Sequence, residues 1–184
     1  MDAIKITTDA AIIRASRSDP PAFGEIFDRH WPRIHRYCVG RAGPPGEDLA
    51  AETFRLAFMA RKRYDGRDNA APWLYGIATN VLRGWARSME RRERAISRAR
   101  TEPHVDEGED VLDRLDAERV GADLAAVLAT LSIDDRDALL LHAIAGLTYE
   151  EIARAVGVPS GTVGSRINRA RARVRGQLES LELC

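Results

Sequence analysis

Near the C-terminus, hydroxyl and guanidinium side chains recur at helical spacing, opposite an apolar stripe. They are Ser160, Thr162, Ser165, Arg166, Arg169 and Arg173. From Ser160 to Gly176 the sequence holds five arginines and no acidic residue. Serine and threonine can bond either bases or phosphates, and arginine can donate two parallel hydrogen bonds to guanine. A basic helix without acids suits the phosphate-lined groove of duplex DNA. The pattern favours DNA binding over the alternative, the solvated face of an ordinary amphipathic helix.

Two shorter helices must position this one. Each begins with a pair of residues typical of a capping box, in which side chain and backbone bond reciprocally. The pairs are Ser132 with Asp135 and Thr148 with Glu151. Gly157-Val158-Pro159 predicts a tight turn, and Ser160 is placed to cap the last helix. A short helix, a turn of this kind and a second helix predict a helix-turn-helix, whose second helix enters the major groove.

A second basic helix is predicted in the N-terminal half. From Trp73 to Trp85, apolar residues recur at intervals of one, three and four, the inward stripe of a buried helix. Its other face and its continuation carry several arginines, including Arg83, Arg87, Arg91 and Arg92. The same period predicts helices over Asp9–Arg17, from Phe23 to Tyr37, and over about Glu47–Lys62.

Charge is distributed unevenly along the chain, although the formal net charge is zero. Residues 1–96 hold 17 Lys and Arg against 12 Asp and Glu. Residues 97–137 hold 5 Lys and Arg against 12 Asp and Glu, and residues 138–184 hold 6 Lys and Arg against 4 Asp and Glu. Two basic blocks therefore flank an acidic middle, a distribution that can attract a polyanion despite the neutral total.

The predicted fold class is all-α, because no segment alternates with period two. We expect two small helical domains, over residues 8–96 and 117–184. The acidic stretch 97–116, interrupted by proline and glycine, predicts a linker between them. The C-terminal domain is the one that contains the helix-turn-helix.

Membrane and disulfide-stabilised classes do not fit. No stretch of about 18 apolar residues could span a bilayer, so we expect no membrane insertion. Met1–Thr8 lacks the apolar region of a secretory signal. Cys38 and Cys184 do not make a disulfide framework, which suits a reducing cytoplasm.

We also expect no metal, no cofactor and no catalytic residue. His30, His35 and Cys38 could suggest a metal site, but Pro32 should break the helix between them, and no fourth ligand lies nearby. The sequence has no glycine-rich phosphate loop, nucleophile elbow or catalytic triad spacing. An enzyme is therefore not predicted.

Five motifs together resemble the extracytoplasmic-function (ECF) sigma factors of bacterial RNA polymerase. They are EDLAAETF at 47–54, PWLYGIATN at 72–80, LSIDDRDALLLH at 131–142, GLTYEEIA at 146–153 and GVPSGTVGSR at 157–166. The resemblance covers roughly Thr8 to Leu178, and its specificity comes from the order and spacing of the motifs. Ala51, Thr79 and Gly164 depart from the residues usual in that family.

The resemblance implies a role for each domain. Residues 117–184 would read the −35 promoter element through the six residues of the last helix named above. Residues 8–96 would read and melt the −10 element and hold a flipped-out base between the loop Tyr64–Ala71 and Asn80. The implied −10 residues are Asn80, Arg83, Trp85, Arg87, Arg91 and Arg92. Alternatively, Asn80 is a plain surface amide and Trp85 a core residue, as we expect for Trp73.

The motif at 47–54 implies docking to core RNA polymerase. The implied docking residues are Asp48, Leu49, Glu52 and Thr53. Asp48 and Glu52 are four residues apart and so share one helix face, where they could equally be solvated surface charges.

The implied function is that of a cytoplasmic sigma factor whose partners are core RNA polymerase and promoter DNA, and which admits an anti-sigma factor as a further partner. Two other functions fit the residues. One is a stand-alone helix-turn-helix regulator that binds duplex operator DNA. The other is a helical protein-interaction module whose basic faces only aid solubility.

Overall fold

The computed structural model describes residues 8–99 and 126–181, and within these ranges the chain contains helices and no β-strand. The N-terminal part has α1 (Asp9–Ala15), α2 (Gly24–Ala42), α3 (Gly46–Ala60) and α4 (Ala71–Ala99). Short 3-10 helices occupy Pro20–Phe23 and Arg61–Arg63. The C-terminal part has α5 (Ile133–Ala143), α6 (Tyr149–Val156) and α7 (Ser160–Leu181), and residues 126–129 are also helical. The all-α prediction is confirmed.

The predicted linker falls mostly outside the described residues. Helix α4 continues to Ala99, past the boundary expected at residue 96. The remainder of the acidic stretch lies within residues 100–125, so the two domain boundaries stay predictions.

Two details of the helices differ from expectation, one inside α2 and one at the start of α7. Pro32 does not break its helix, because α2 runs through it from Gly24 to Ala42. An internal proline costs about 3 kcal/mol, but buried contacts on the apolar face of a helix can outweigh that cost. Ser160 is the first residue of α7 and not its cap, since the helix begins one residue earlier than expected. The Pro159 carbonyl already accepts the backbone N–H groups of Thr162 and Val163 at 3.0 and 3.2 Å.

The N-terminal core lies between α2, α3 and α4. Its fully buried side chains include Ile26, Ile34, Tyr37 and Leu74. The turn from α2 to α3 is so tight that a Cβ atom at Gly46 would lie 2.4 Å from the Cα of Val39. Only glycine fits at that position.

A buried carboxylate at the start of α1 fixes the segment that leads into α4. Asp9 accepts a hydrogen bond from the backbone N–H of Ala70 at 2.8 Å. Its other contacts are the Nε2 atom of His30 at 2.8 Å and the Nη1 atom of Arg29 at 3.2 Å. Burial raises the pKa of Asp9, but the hydrogen bonds from His30 and Ala70 outweigh it, so the pKa is lowered overall.

The C-terminal part is held by local caps and a small apolar core. The Oγ1 atom of Thr148 accepts from the Glu151 N–H at 3.3 Å, while the Thr148 N–H donates to Glu151 Oε2 at 2.9 Å, which confirms that capping box. The Oγ atom of Ser132 accepts from the Asp135 N–H at 3.2 Å. This is one of the two hydrogen bonds of the capping box that the sequence predicts for Ser132 and Asp135. Gly157 ends α6 with φ at +70° in the left-handed region. The turn that begins at Gly157 therefore separates α6 from α7.

Candidate nucleic-acid interface

All six residues predicted to read duplex DNA lie on α7. Its other side packs into the core through Val163, Ile167 and Ala170, which are fully buried. Ser165 and Arg169 are exposed, and the Oγ atom of Ser165 donates to the Thr162 carbonyl at 2.9 Å. The structure therefore gives α7 one apolar face and one polar, arginine-bearing face, as the sequence predicts.

Two arginines of this face contact acids in the first turn of α5. The Nη2 atom of Arg166 lies 2.6 Å from Asp134 Oδ2. The guanidinium of Arg169 donates twice to the carboxylate of Asp135, at 2.7 and 3.3 Å. That bond holds the pKa of Asp135 below its usual range. Arg173 is exposed and has no ion pair with any residue in the described ranges.

Asn80 lies on the surface of α4, beside a groove between α3 and α4. The groove has a volume of about 730 Å³, within the range of about 300–1,000 Å³ usual for ligand pockets. Its described lining is mostly apolar, with one amide and two cations at its edge: Leu56, Met59, Ala60, Lys62, Arg63, Ile77, Asn80 and Val81. The loop Tyr64–Ala71 does not contribute to this lining, so the base pocket expected between that loop and Asn80 stays a prediction.

Lys62 and Arg63 were not among the predicted site residues. Both are exposed and lie in the 3-10 helix that follows α3. The basic run Arg61-Lys62-Arg63 was visible in the sequence, but only the packing of α3 on α4 brings it to Asn80. The structure thus adds two cations to the predicted −10 surface.

The arginines of α4 divide into two groups. Arg83 is mostly buried and contacts Asp134 and Asp137 of α5 at 2.7 and 2.6 Å. Arg87, Arg91 and Arg92 are exposed further along the helix.

The two tryptophans of α4 also differ in their surroundings. Trp73 packs against the core beside Tyr64, with ring centroids 4.9 Å apart, as expected, whereas Trp85 is partly exposed in the basic part of the helix.

The four predicted docking residues do not share one environment. Asp48 is exposed and Leu49 is partly buried. Glu52 forms two hydrogen bonds with Arg55, both 2.6 Å long, and these lower its pKa. Thr53 is fully buried and donates to the Leu49 carbonyl at 2.8 Å. Thr53 is therefore a core residue of this domain and cannot touch a partner, because it lies on the inward side of α3.

An aromatic cluster lies beside this part of α3. Phe27, Trp31 and His35 follow one another on α2 at intervals of four residues. Phe27 stacks on Trp31 with ring centroids 4.8 Å apart, and Trp31 lies 5.3 Å from His35. Phe54 of α3 packs edge-on against Phe27 at 4.9 Å. The i, i+4 spacing could have revealed this surface, which we call the aromatic cluster.

The histidine and cysteine residues considered for a metal are used otherwise. His30 contacts Asp9, and Cys38 is buried in the core. Within 8–99 and 126–181, no three residues of the types that ligate metals are grouped closely enough to hold an ion. In the same ranges no helix combines the length and apolar character needed to cross a bilayer.

Comparison with known proteins identifies the family. Sigma-70 region 2 matches residues 26–93, and Sigma-70, region 4 matches residues 122–174. The chain is 34% identical over 171 residues to the ECF RNA polymerase sigma factor SigE of Mycolicibacterium smegmatis, a match that covers 86% of this chain and 62% of SigE. It is 30% identical over 164 residues to the RNA polymerase sigma factor CarQ of Myxococcus xanthus, a match that covers 88% of this chain and 92% of CarQ. The chain thus spans less than two thirds of SigE and nearly all of CarQ.

Solved structures agree with the fold. CnrH, solved in complex with the cytosolic domain of CnrY, matches with a TM-score of 0.69 at 24% identity, over 94% of this chain and 97% of that one. The sigma factor RpoE from Bartonella quintana, solved with the anti-sigma factor NepR, matches with a TM-score of 0.64 at 25% identity, over 86% and 98%. Both parts of the candidate interface lie within the two matched sigma regions. The chain therefore belongs to the ECF class of RNA polymerase sigma factors.

Proposed function

We propose that this chain binds core RNA polymerase, directs it to promoters through the −35 and −10 elements, and supports promoter opening. One observation carries the proposal: this sigma-family chain combines two basic surfaces. The first is the basic face of a helix-turn-helix, and the second is a basic helix beside a groove that Asn80 lines. The protein acts in the cytoplasm and is not an enzyme, since polymerisation chemistry belongs to the polymerase. Its relatives do not favour the stand-alone regulator.

The −35 element is read by α7. Thr162, Ser165 and the two arginines that follow lie in its first three turns, the part of a recognition helix that reaches base edges. Arg173 lies further along and contacts phosphates. Ser160, as first residue of the helix, is placed to donate a hydrogen bond to a phosphate.

The −10 element is held at the groove between α3 and α4. A base that leaves the duplex costs a few kcal/mol in lost stacking and pairing. The apolar lining of the groove offsets this by packing on the base, and the Asn80 amide bonds its exposed edge. Lys62, Arg63 and the arginines of α4 neutralise the adjoining phosphates.

Core polymerase docks on α3 and the aromatic cluster. Asp48 supplies an exposed negative charge, and Glu52 supplies a second negative charge, which is paired with Arg55. The aromatic cluster supplies apolar area, of the kind that dominates the centre of protein interfaces. The solved complex of the sigma factor RpoE with the anti-sigma factor NepR supports an anti-sigma factor as a further partner.

Run-off transcription tests this function. Purified chain is combined with core polymerase on a promoter library, and transcripts from specific templates are expected only when both are present. A gel-shift experiment with and without core separates the rival function, because a stand-alone regulator binds duplex tightly without polymerase. If no template yields a transcript, the sigma-factor proposal is wrong.

Paired variants test the reading face of α7. Arg169→Ala removes an exposed arginine of that face, and a lost bidentate base contact costs about 1–3 kcal/mol. Arg171→Ala is the matched control, since it removes the same charge from a different side of α7, beside the apolar residues Leu139 and Val174. We expect the −35 preference to fall only for the first variant. Equal losses for both would reduce the role of Arg169 to nonspecific charge.

Asn80→Ala tests the groove. The variant is expected to lose discrimination among bases in the −10 element while it still binds core polymerase. The readout is run-off transcription from promoters with single −10 substitutions. Unchanged discrimination would remove Asn80 from the base site.

A further inference from the structure

One exposed arginine of α7 is held in a fixed direction by an acid of α5. The Nη2 atom of Arg169 donates to Asp135 Oδ1 at 2.7 Å, and its Nε atom donates to Asp135 Oδ2 at 3.3 Å. The carboxylate therefore occupies the edge of the guanidinium that Nε and Nη2 form. Two parallel bonds between two planar groups fix the direction of both groups, which a single contact does not do.

The opposite edge of the same guanidinium stays available. A guanidinium carries five N–H donors, and the pair with Asp135 uses one on Nε and one on Nη2. Within residues 8–99 and 126–181, the remaining donors of Arg169 have no hydrogen-bond partner, and its side chain is 60% exposed. The free N–H groups of Nη1 and Nη2 point the same way, as two parallel donors. Such a fork matches the O6 and N7 acceptors of guanine in the major groove.

Asp135 is itself well anchored. Its side chain is 14% exposed, and it lies in the first turn of α5, where the helix dipole favours a negative charge. Its backbone N–H donates to the Oγ atom of Ser132 at 3.2 Å. Helix α5 packs directly on α7, with Leu141 and Ile167 fully buried. Hydrogen bonds from Arg169 and, secondarily, Ser132 lower the pKa of Asp135, so its carboxylate stays charged at neutral pH.

The other arginines predicted for this face of α7 lack the combination. Arg166 contacts Asp134, but its side chain is only 15% exposed. Arg173 is exposed and forms no ion pair within the described ranges. Of these three arginines, Arg169 is the one that is both exposed and held. Because an ion pair at the surface adds little to stability, the main effect of Asp135 is on the direction of the guanidinium.

A fixed direction favours base recognition over contact with phosphates. A long side chain that is ordered before binding avoids the cost of ordering at the moment of binding. Attraction to phosphates depends on net charge, and Asp135 offsets the charge of Arg169. The pair therefore weakens the nonspecific use of this arginine and strengthens its use as a reader of one base.

We propose that Asp135 is a positioning residue for −35 recognition: its carboxylate holds one edge of Arg169 and directs the opposite edge of the guanidinium to a guanine of the element. This inference rests on the proposed sigma function and names the base that Arg169 reads. Arg169 touches the base, and Asp135 acts through Arg169. The preference for guanine at one position of the −35 element therefore depends on both residues.

Selection of −35 sequences by the polymerase holoenzyme tests this role. The full-length chain with core polymerase is offered promoter duplexes whose −35 element is randomised, and the bound duplexes are sequenced. Asp135→Asn keeps the shape of the side chain but removes its charge and one of its two acceptors. Glu179→Gln is the matched control, because it removes one negative charge from an exposed position of α7, ten residues beyond Arg169.

The expected loss is confined to one base position. We expect the wild type to favour guanine there about 5-fold to 150-fold, and Arg169→Ala to abolish that preference. Asp135→Asn should lower it about 2-fold to 12-fold, the cost of ordering one long side chain during binding. Binding of a duplex of random sequence should not weaken, because this variant has one negative charge fewer. Glu179→Gln should keep the preference within about twofold.

A double-mutant cycle separates positioning from a structural role. In an Arg169→Ala background, Asp135→Asn should change no base preference further, because its effect passes through the arginine. Asp135→Ala is a second variant with the same expectation. Alanine is the best helix former, and the backbone N–H that bonds Ser132 is retained, so α5 should still form. Circular dichroism checks the helix content of each variant.

Three results would overturn the role of Asp135 while leaving the sigma function intact. They are a guanine preference that is unchanged or stronger in both Asp135 variants, an equal loss at every base position, and the absence of any preference that depends on Arg169. If the wild-type holoenzyme starts no transcripts, the sigma function itself fails. Selection from a fully random duplex pool by the full-length chain alone then applies the same criteria to Asp135.

Discussion

Replacing Asp9 tests how strongly one buried carboxylate stabilises the N-terminal domain. Asp9→Ala leaves the N–H of Ala70 buried without its acceptor and removes the partner of His30. An unsatisfied buried donor costs about 1–3 kcal/mol, and loss of one member of a buried pair about 3–5 kcal/mol. Since both losses share one side chain, we expect the free energy of unfolding to fall by about 3–5 kcal/mol in total.

Urea denaturation followed by tryptophan fluorescence measures this change. The sequence has three tryptophans, and Trp31, Trp73 and Trp85 all lie in the N-terminal domain, so the signal reports on that domain. With a urea dependence of about 1–3 kcal/mol per molar, the midpoint should fall by about 2 M. Asp28→Ala is the matched control on the exposed side of α2 and should change stability by less than about 0.5 kcal/mol. A loss below about 1 kcal/mol for Asp9→Ala would refute the reasoning.

The pH dependence follows from the same contacts. The folded pKa of Asp9 lies below its ordinary value of 3.8, so the folded state favours the carboxylate. The resulting stabilisation is fully present above that ordinary value and is lost as the pH falls through the lower, folded pKa. The difference in stability between wild type and Asp9→Asn should therefore shrink in acid. A difference that grows as the pH falls would contradict this assignment.

The remaining predictions concern single residues. Cys38 is buried with its pKa raised to about 11, so in a Cys184→Ser background it should resist a thiol reagent at neutral pH until urea unfolds the domain; rapid labelling of the folded protein would contradict this. Gly157→Ala forces a Cβ into the left-handed region and should destabilise the C-terminal domain by about 1–2 kcal/mol, measured by circular dichroism. Thr148→Ala removes the hydroxyl that caps α6 and should cost about 1 kcal/mol in the same assay, whereas Thr148→Ser should retain most of the stability.

Local features of the fold were readable from the sequence because neighbouring residues produce them. The capping box of Thr148 and Glu151 joins residues three apart, and Gly157 ends α6 through its own backbone freedom. The amphipathic faces of α4 and α7 follow from helical period alone. These signals were enough to predict an all-α chain with a helix-turn-helix.

Pro32 shows where local reasoning gave the wrong answer. Its effect on the backbone is local, yet α2 continues through it, because Ile34 and Tyr37 beyond it are buried against other helices. Thr53 is a second case. The motif placed it on a docking surface, but the packing of α2 and α3 turns it inward, towards Cys38.

The sequence by itself determined which segments are helical and which of their faces are basic, and it predicted that the proposed −10 and −35 surfaces lie in separate parts of the chain. Only the tertiary structure decided which charges meet. The contact of Asp137 with Arg41 and Arg83, and the placement of Lys62 and Arg63 beside Asn80, join residues far apart along the chain or on different helices. Helical period fixes the face on which a side chain lies, whereas the partner of that face depends on how helices pack.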